Sequence, residues 1–203
     1  RLTALRTASA SGHEYAAMDT DLGVKVLLTL VESLGAIDGE DGVADPSLQR
    51  NYQQTMASLS QLDHPLLGMP RRVSAAHSES YWYTSLATDG TPLRRHLDHR
   101  GPLAWRTVAL VLCEATVALA TAHQRRCAHG NIQLDTVLVE PNGAVRFLRP
   151  DVAGRILFTH SDSSTISLGA LWDEPIYLSP DVLNRHVAGA SDDIYALGVL
   201  AYE

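Results

Sequence analysis

The chain has 203 residues, of which 45% are hydrophobic and 19% are charged, and its formal net charge is −7. This length suits one ordinary domain or two small lobes, and the apolar share is enough for a core, which excludes a charge-extended disordered chain. An acidic chain also lacks the concentrated basic face that general nucleic-acid binding requires, so we expect no nucleic-acid partner.

Cysteine usage and apolar stretches indicate the compartment. Cys113 and Cys127 are too few for a disulfide framework and lack the paired spacing of a structural zinc site, so we expect reduced thiols in the cytoplasm and no metal. The longest apolar stretch, Val108 to Ala122, is short for a bilayer span and contains Glu114, which predicts a buried helix rather than a membrane segment. Because the chain begins at Arg1 without a Met or an apolar leader, we expect a piece of a longer protein, which leaves open the cytoplasmic part of a larger membrane protein.

The first half of the chain is strand-rich. Two strand-like runs, 14–18 and 24–31, flank an Asp/Gly turn at 19–23 and predict a hairpin. After a Gly- and Asp-rich loop at 35–44, Asp45-Pro46 supplies an N-cap and a first-turn proline, and apolar residues continue at helical spacing. This pattern predicts a helix over about 46–62, and short strands follow between Val73 and Leu86.

The second half is mainly helical. One stripe of apolar residues at helical spacing predicts a long helix, and it consists of Trp105, Val108, Leu112, Ala115, Leu119 and Ala122. Two strands, 137–139 and 145–148, flank Pro141-Asn142-Gly143 and predict a second hairpin with a type I′ turn at Asn-Gly. The Ser/Thr-rich stretch from Thr159 to Ser167 has no periodicity and is expected to form a loop.

Several segments resemble protein kinase motifs. His129-Gly130-Asn131-Ile132-Gln133-Leu134-Asp135-Thr136, between the long helix and the second hairpin, resembles the catalytic loop H-R-D-L-x-x-x-N. Tyr177-Leu178-Ser179-Pro180-Asp181 resembles the A-P-E element that closes an activation segment. The run from Ser191 to Leu200 resembles the start of the central C-lobe helix of bacterial Ser/Thr kinases, and Leu62-Asp63-His64-Pro65 resembles the junction after helix C.

The resemblance implies a two-lobed, protein-kinase-like α+β fold. Residues 1–91 would form an N-lobe with a small antiparallel sheet and helix C at about 46–62. Residues 92–203 would form a mainly helical, partial C-lobe with the long helix, the catalytic-loop remnant, the activation segment and the start of the central helix. Either the protein continues beyond Glu203 or the C-lobe is truncated. A truncated lobe would leave one apolar face without its usual cover and favour a partner or self-association, the face being Ile194, Leu197, Val199 and Leu200.

Phosphoryl transfer depends on a few charges that position phosphate and magnesium, and in the register of the resemblance the N-lobe lacks them. Thr7, Ser9 and Gly12 occupy the three positions of the phosphate-binding glycines. Thr29 replaces the phosphate-binding lysine, and Thr55 replaces the glutamate of helix C. The resemblance therefore leaves Gly12 as the remaining weak candidate for nucleotide contact in this lobe.

The C-lobe positions are equally degenerate. Asn131 replaces the catalytic aspartate, and an amide cannot accept a proton at neutral pH; Thr136 replaces the metal-binding asparagine. Arg149 stands where the magnesium-binding aspartate of D-F-G belongs, and it is a weak candidate for binding an anion instead. Placing Asp151 there would need two extra residues after Phe147, and a clean hairpin argues against that shift.

Other motif residues carry structural expectations. The resemblance makes His129 the structural histidine of the loop, makes Asp193 the helix aspartate that holds the loop backbone, and places Pro180 and Asp181 in the A-P-E element. A metal role for His129, or a thiol dyad with Cys127, is less favoured because no further ligand or base lies at suitable spacing. The activation-segment loop contains candidate phosphorylation sites, namely Ser161, Ser163, Ser164, Thr165 and Ser167.

These substitutions predict a bacterial pseudokinase, a regulatory or scaffold module without a cofactor that binds a protein partner such as a signalling protein or an active kinase. Two alternatives stay open. One is a divergent active Ser/Thr protein kinase that uses ATP and magnesium. The other is a nucleotide sensor that binds without turnover.

Overall fold

The computed structural model describes residues 1–9, 12–31, 46–74, 80–152, 174–184 and 186–203. The chain forms two compact units. The sheet unit comprises Arg1–Gln61, Met69–Ala87 and Val152–Pro175, and the helical unit comprises Leu62–Gly68, Thr88–Asp151 and Ile176–Glu203. The predicted loop at 35–44 and the predicted loop from Thr159 to Ser167 lie outside the described residues.

The described strands, in chain order, are β1 (Leu2–Ser9), β2 (Gly12–Asp19), β3 (Val24–Leu30), β4 (Leu67–Gly68), β5 (Arg72–Val73), β6 (Trp82–Leu86), β7 (Thr91–Pro92), β8 (Val137–Val139) and β9 (Val145–Leu148). The described α-helices are α1 (Pro46–Ser60), α2 (Leu93–Arg100), α3 (Trp105–Gln124), α4 (Pro180–Leu183) and α5 (Ala190–Tyr202). A short 3₁₀ helix covers Pro175–Tyr177.

The sheet unit is built on a five-stranded antiparallel sheet in the order β1-β2-β3-β6-β5. The predicted hairpin is confirmed as β2 and β3, whose turn is held by the Asp19 side chain, which accepts hydrogen bonds from the N–H groups of Asp21 and Leu22. Arg72 reaches this turn from β5, with its guanidinium 3.1 Å from Asp19 and 2.9 Å from Asp21. The hydrogen bond to Asp21, with the charge of Asp19, raises the pKa of Arg72.

Helix α1 packs on one face of this sheet, and we call that face the inner face. The ring of Tyr52 meets Tyr81 edge-on at 5.0 Å, and the Tyr52 hydroxyl donates to the carbonyl of Trp82 at 2.5 Å. Gln53 donates to the carbonyl of Ser74 at 3.0 Å. Burial raises the pKa of Tyr52. The helix predicted over about 46–62 thus forms over Pro46–Ser60 and is tied to the β5–β6 side of the sheet.

The helical unit contains a four-stranded sheet in the order β4-β9-β8-β7, and the predicted second hairpin is confirmed as β8 and β9. The predicted type I′ turn is wrong. The N–H of Gly143 donates to the carbonyl of Glu140, and the N–H of Glu140 donates to the carbonyl of Ala144. A type I′ turn needs positive φ at both Asn142 and Gly143, but only Gly143 has it. This is a three-residue loop with a type I turn, since Pro141 fixes the φ that such a turn needs after Glu140.

The long helix forms as α3, but the prediction that it is buried is wrong. Its buried residues make one narrow stripe, Ala115, Ala118, Leu119 and Ala122, where it contacts α5 and β9. Trp105 is 71% exposed and Val117 is 65% exposed, because apolar residues continue around the helix beyond the part that is covered. Among the described residues, α3 is the one helix long and apolar enough to cross a bilayer, a test that core helices of soluble proteins also pass.

The expected α+β class is confirmed, with the antiparallel sheet and α1 followed by mainly helical structure. Helix α2 was missed in the sequence because Leu93–Arg100 is almost entirely polar and charged. On α5, Leu197 and Leu200 are buried, whereas Ile194 is 50% exposed. The expected uncovered face of this helix is therefore only partly uncovered.

Candidate functional site

The catalytic-loop remnant, residues 129–136, lies between α3 and β8 and is anchored by one buried carboxylate. Asp193, in the first turn of α5 and 1% exposed, accepts hydrogen bonds from the backbone N–H groups of His129 and Gly130, each at 2.7 Å. Nε2 of His123, in the last turn of α3, lies 2.7 Å from the same carboxylate. Because three donors converge on it, the buried carboxylate is compensated and fixes the start of the loop.

Thr136 closes the other end of the loop. Its buried hydroxyl donates to the carbonyl of Asn131 at 2.6 Å and accepts from the N–H of Gln133 at 3.1 Å. His129 is fully buried and meets the ring of Phe147 on β9 edge-on, with 6.1 Å between ring centroids. The Thr136 hydroxyl therefore bonds groups within the loop to each other, and the ring contact with Phe147 joins the loop to β9.

Asn131 uses its side-chain amide as a donor. Nδ2 donates to the backbone carbonyl of Arg149 at 2.8 Å. A carboxylate in the same place has no proton to donate and would face that carbonyl oxygen with like partial charge. The amide therefore joins the loop to the chain that leaves β9.

Arg149 and Asp151, in the chain that leaves β9, both contact the loop. Arg149 has a positive φ of 56°, and its guanidinium donates to the carbonyl of Asp135 at 2.8 Å. The N–H of Asp151 donates to the carbonyl of His129 at 2.8 Å, and a Cβ built on Gly130 would lie 3.0 Å from the Cβ of Asp151. Both residues therefore lie against the loop. The register that puts Arg149 at the position of the D-F-G aspartate stays a prediction.

The remaining degenerate positions lie in the sheet unit. Thr29 on β3 is 7% exposed, and its hydroxyl has no hydrogen-bond partner. Thr55 is half-buried on α1, so neither end of the expected ion pair carries a charge. Gly12 begins β2 and pairs with Ser9, which places it at the tip of the β1–β2 hairpin.

The A-P-E-like segment forms a capped turn of helix. The Ser179 hydroxyl accepts from the N–H of Val182 at 3.2 Å and also hydrogen-bonds to Asp192 on α5. Pro180 occupies the first turn of α4, and Asp181 is exposed beside it. The candidate phosphorylation sites Ser161, Ser163, Ser164, Thr165 and Ser167 lie outside the described residues.

The residues present do not fit magnesium–ATP, the group that the resemblance implies. The Thr136 hydroxyl and the Asn131 amide nitrogen already make hydrogen bonds to backbone carbonyls, and Thr29 in the sheet unit is neutral. Within the described part of the chain, no group of three or more His, Cys, Asp or Glu could hold a metal ion. Besides Asp193, which binds the loop backbone, Asp151 is the acidic residue that the described contacts bring against the loop at Gly130.

Sequence reasoning missed three residues of this region. Apart from the place of His123 at the end of a helix, nothing in the sequence indicates its contact with Asp193. Asp151 reaches the loop through the left-handed backbone of Arg149, which residue propensities do not predict. Glu14 could have been found, because the register of the β2–β3 hairpin places it directly opposite Thr29.

Comparisons with known proteins give a consistent family. No family model matches the chain. It is 24% identical over 163 residues to the serine/threonine-protein kinase PrkC of Bacillus subtilis, covering 80% of this chain and 24% of the relative. It is 24% identical over 166 residues to PknB of Mycolicibacterium smegmatis, covering 80% and 26%. With PknA of Mycobacterium tuberculosis the identity is 23% over an alignment of 208 positions, covering 100% and 46%.

The chain thus spans between about a quarter and a half of the length of these relatives. The sequence similarity extends over the same loop, hairpin and helix whose geometry is described above. By this similarity and by its fold, the chain is related to the bacterial serine/threonine protein kinases of the protein kinase superfamily.

Proposed function

We propose that this kinase-like domain is catalytically inactive and acts as a regulatory or scaffold module that binds a protein partner. The observation that carries the proposal is the hydrogen bond from the Asn131 amide to the carbonyl of Arg149. A group that donates a proton there cannot serve as the base that phosphoryl transfer uses. The asparagine at position 131 thus makes a hydrogen bond that an aspartate could not make.

The neutral threonines support the same proposal. Phosphoryl transfer relies on cations and magnesium to offset the charge that develops on the phosphate. Thr29 offers only a hydroxyl, and the Thr136 hydroxyl is already used within the loop.

The test is labelling of the purified domain and of generic substrates with ATP, in magnesium and in manganese. We expect no labelling by the wild-type chain. Labelling that disappears in Asp151→Asn would overturn the proposal, because Asp151 is an acidic residue that packs against the loop at Gly130. Labelling that persists in that variant would indicate a contaminating kinase.

A nucleotide sensor is the second candidate, and the position of Asp151 favours it. In such a sensor, the carboxylate beside Gly130 would have to exchange its present contact for the cation of a bound nucleotide, because the described residues supply no cluster of metal ligands. Such a sensor would bind ATP more tightly with magnesium than without it. The inactive scaffold would show no such difference.

The protein-binding part of the proposal draws on the exposed apolar surface of α3. Trp105, Leu110 and Val117 are well exposed on this helix. We place the module in the cytoplasm, as the reduced thiols suggest. The partner would be found by crosslinking in cells and then reconstituted from purified components, and Leu110→Asp with Val117→Asp is expected to abolish that complex without lowering the melting temperature. An unchanged complex would contradict this assignment of the surface.

A further inference from the structure

A groove opens in the helical unit between α2, the start of α3 and the end of α5, and we call it the α2–α3 groove. Its cavity has a volume of about 270 Å³, and all of its lining residues belong to the helical unit. The lining is mainly apolar and includes Leu97, Leu103, Trp105, Val108, Leu112 and Leu200. Small-molecule sites usually measure roughly 300–1,000 Å³, so the groove suits one apolar side chain of a partner better than a free ligand.

The rim of this groove is positively charged. Arg100 follows Leu97 by three residues on α2, which places it on the side of the helix that faces the groove. Arg106 lies over the ring of Trp105, with its guanidinium carbon 4.8 Å from the ring centroid. Both arginines are exposed, and within the described residues no carboxylate pairs with either guanidinium. Two cations without an acidic partner therefore flank the apolar groove.

The local charge is opposite to that of the chain as a whole. Residues 93–106 contain four arginines and one aspartate, whereas the whole chain has a formal net charge of −7. Arg94 is already paired with Asp135 at 2.8 Å. Glu203 is the acidic residue of the groove lining, and its carboxylate accepts a hydrogen bond from the Tyr177 hydroxyl. The charge that remains on the rim complements the carboxylates of a partner.

We infer that the α2–α3 groove binds an acidic segment of a protein partner, which inserts one apolar side chain and places carboxylates near Arg100 and Arg106. The cavity favours a protein over an anionic membrane, since a membrane surface offers no protruding side chain. This inference deepens the proposed function and rests on it in one respect, that the module binds a protein partner. It adds the chemistry of that partner and a contact surface besides Leu110 and Val117 of α3.

The test is fluorescence anisotropy with a panel of short labelled peptides, each with one central residue flanked on both sides by Glu, by Lys or by Ser. We expect Glu-flanked peptides with a large apolar central residue to bind saturably, and more weakly as ionic strength rises. Lys-flanked and Ser-flanked peptides should bind at least about fivefold more weakly, and alanine at the centre should abolish binding because it leaves the groove unfilled. Equal binding by the three sets, or binding by none, would overturn the inference.

Charge reversal on α2 supplies a matched pair of variants. Arg100→Glu should weaken the binding of Glu-flanked peptides at least about fivefold and shift the preference toward Lys-flanked ones, and Arg106→Glu should act in the same direction. Arg95→Glu makes the same change on the same helix. At about 100° per residue, Arg95 lies on the side of α2 opposite to Leu97, so its variant should bind within about twofold of the wild type. Equal effects of Arg100→Glu and Arg95→Glu would overturn the placement of the site.

The outcomes separate this inference from the proposed function. If no peptide binds but a purified cellular partner does, and Leu110→Asp with Val117→Asp abolishes that complex, the groove assignment alone fails. If the peptides bind as expected but the domain transfers phosphate, the groove stands and the inactive module fails. Dimers that Arg100→Glu dissociates would place a second copy in the groove and overturn the inference. Binding to phosphatidylglycerol vesicles without binding to any peptide would overturn it in favour of a membrane.

Discussion

The catalytic-loop remnant and the inner face of the sheet both have neutral side chains where the resemblance to kinase motifs expects charged groups, but they differ in how their polar atoms are satisfied. In the loop, Asp193, Thr136 and Asn131 each make hydrogen bonds to backbone groups. On the inner face, the buried hydroxyl of Thr29 has no partner. In both regions a threonine stands at a position that the resemblance assigns to a charged or metal-binding residue, but only the Thr136 hydroxyl has hydrogen-bond partners.

The difference shows which hydrogen bonds each region needs from side chains. The loop has many backbone groups that need partners, and side chains at the motif positions supply them. Strand pairing supplies the backbone hydrogen bonds of the sheet, so the sheet does not depend on a hydrogen bond from the Thr29 side chain. Four sets of substitutions test this contrast. The first three measure how strongly the loop depends on its side-chain contacts, and the last compares the loop with the inner face directly.

Asp193→Ala should have the largest effect. It leaves the buried N–H groups of His129 and Gly130 without their acceptor and removes the contact with His123, so we expect a loss of about 3 kcal/mol or more in the free energy of unfolding. Urea denaturation followed by circular dichroism measures it. Asp181→Ala, at an exposed site, is the control and should cost little. Similar midpoints for the two variants would show that the loop does not depend on Asp193.

Gly130→Ala is expected to follow, at about 2–3 kcal/mol, because the residue has φ of 75° and its new Cβ would lie 3.0 Å from the Cβ of Asp151. Gly143→Ala is the matched control, since it has φ of 85° and no atom within 4 Å of the added Cβ. It should cost about 1 kcal/mol from the backbone alone. Equal losses of melting temperature in the two variants would mean that Asp151 does not pack against the loop.

Asn131→Asp introduces the residue that the kinase motif has at this position, and we expect it to destabilise the chain by about 2 kcal/mol. A carboxylate would replace a donated hydrogen bond to the Arg149 carbonyl by repulsion. Asn131→Ala, which only removes the bond, should cost less. The comparison is made by thermal denaturation, and an Asp variant as stable as the wild type would argue against the structural role of the amide.

The two threonines give the smallest effect and the closest comparison. Thr136→Val removes a hydroxyl with two partners and should cost about 1–2 kcal/mol, whereas Thr29→Val removes an unpartnered buried hydroxyl and should be neutral or stabilising by up to about 1 kcal/mol. Since both exchanges are isosteric, packing contributes equally. Parallel denaturation curves decide the order, and a reversed order would remove the contrast between the two regions.

The elements that sequence predicts well are those with local signals. The β2–β3 turn at Asp19 and the β8–β9 strands follow from turn residues and alternation, and α1 follows from its Asp-Pro start. The type I turn after Glu140 was missed because Asn-Gly was given more weight than the preceding Pro141. The exposure of α3 was missed because periodicity shows which face is apolar, and neighbouring elements decide how much of it is covered.

The candidate site was less predictable for a physical reason. The substitutions at Thr29, Asn131 and Thr136 can be read directly, but what their side chains touch depends on backbone geometry. The left-handed backbone at Arg149 moves Asp151 against Gly130, and no composition or spacing indicates that. The opposition of Glu14 to Thr29 was accessible from hairpin register, since both residues lie at fixed distances from the Asp19 turn.

Calorimetric titration of the wild-type chain with ATP, with and without magnesium and alongside Asp151→Asn, tests the central claim most directly. The claim is that the polar groups of the former site now serve the fold and hold no nucleotide. We predict no saturable heat in either condition and no difference between the two chains. Saturable binding that requires magnesium and disappears in Asp151→Asn would contradict the claim, and it would make Asp151 the metal-binding group of a functional nucleotide site.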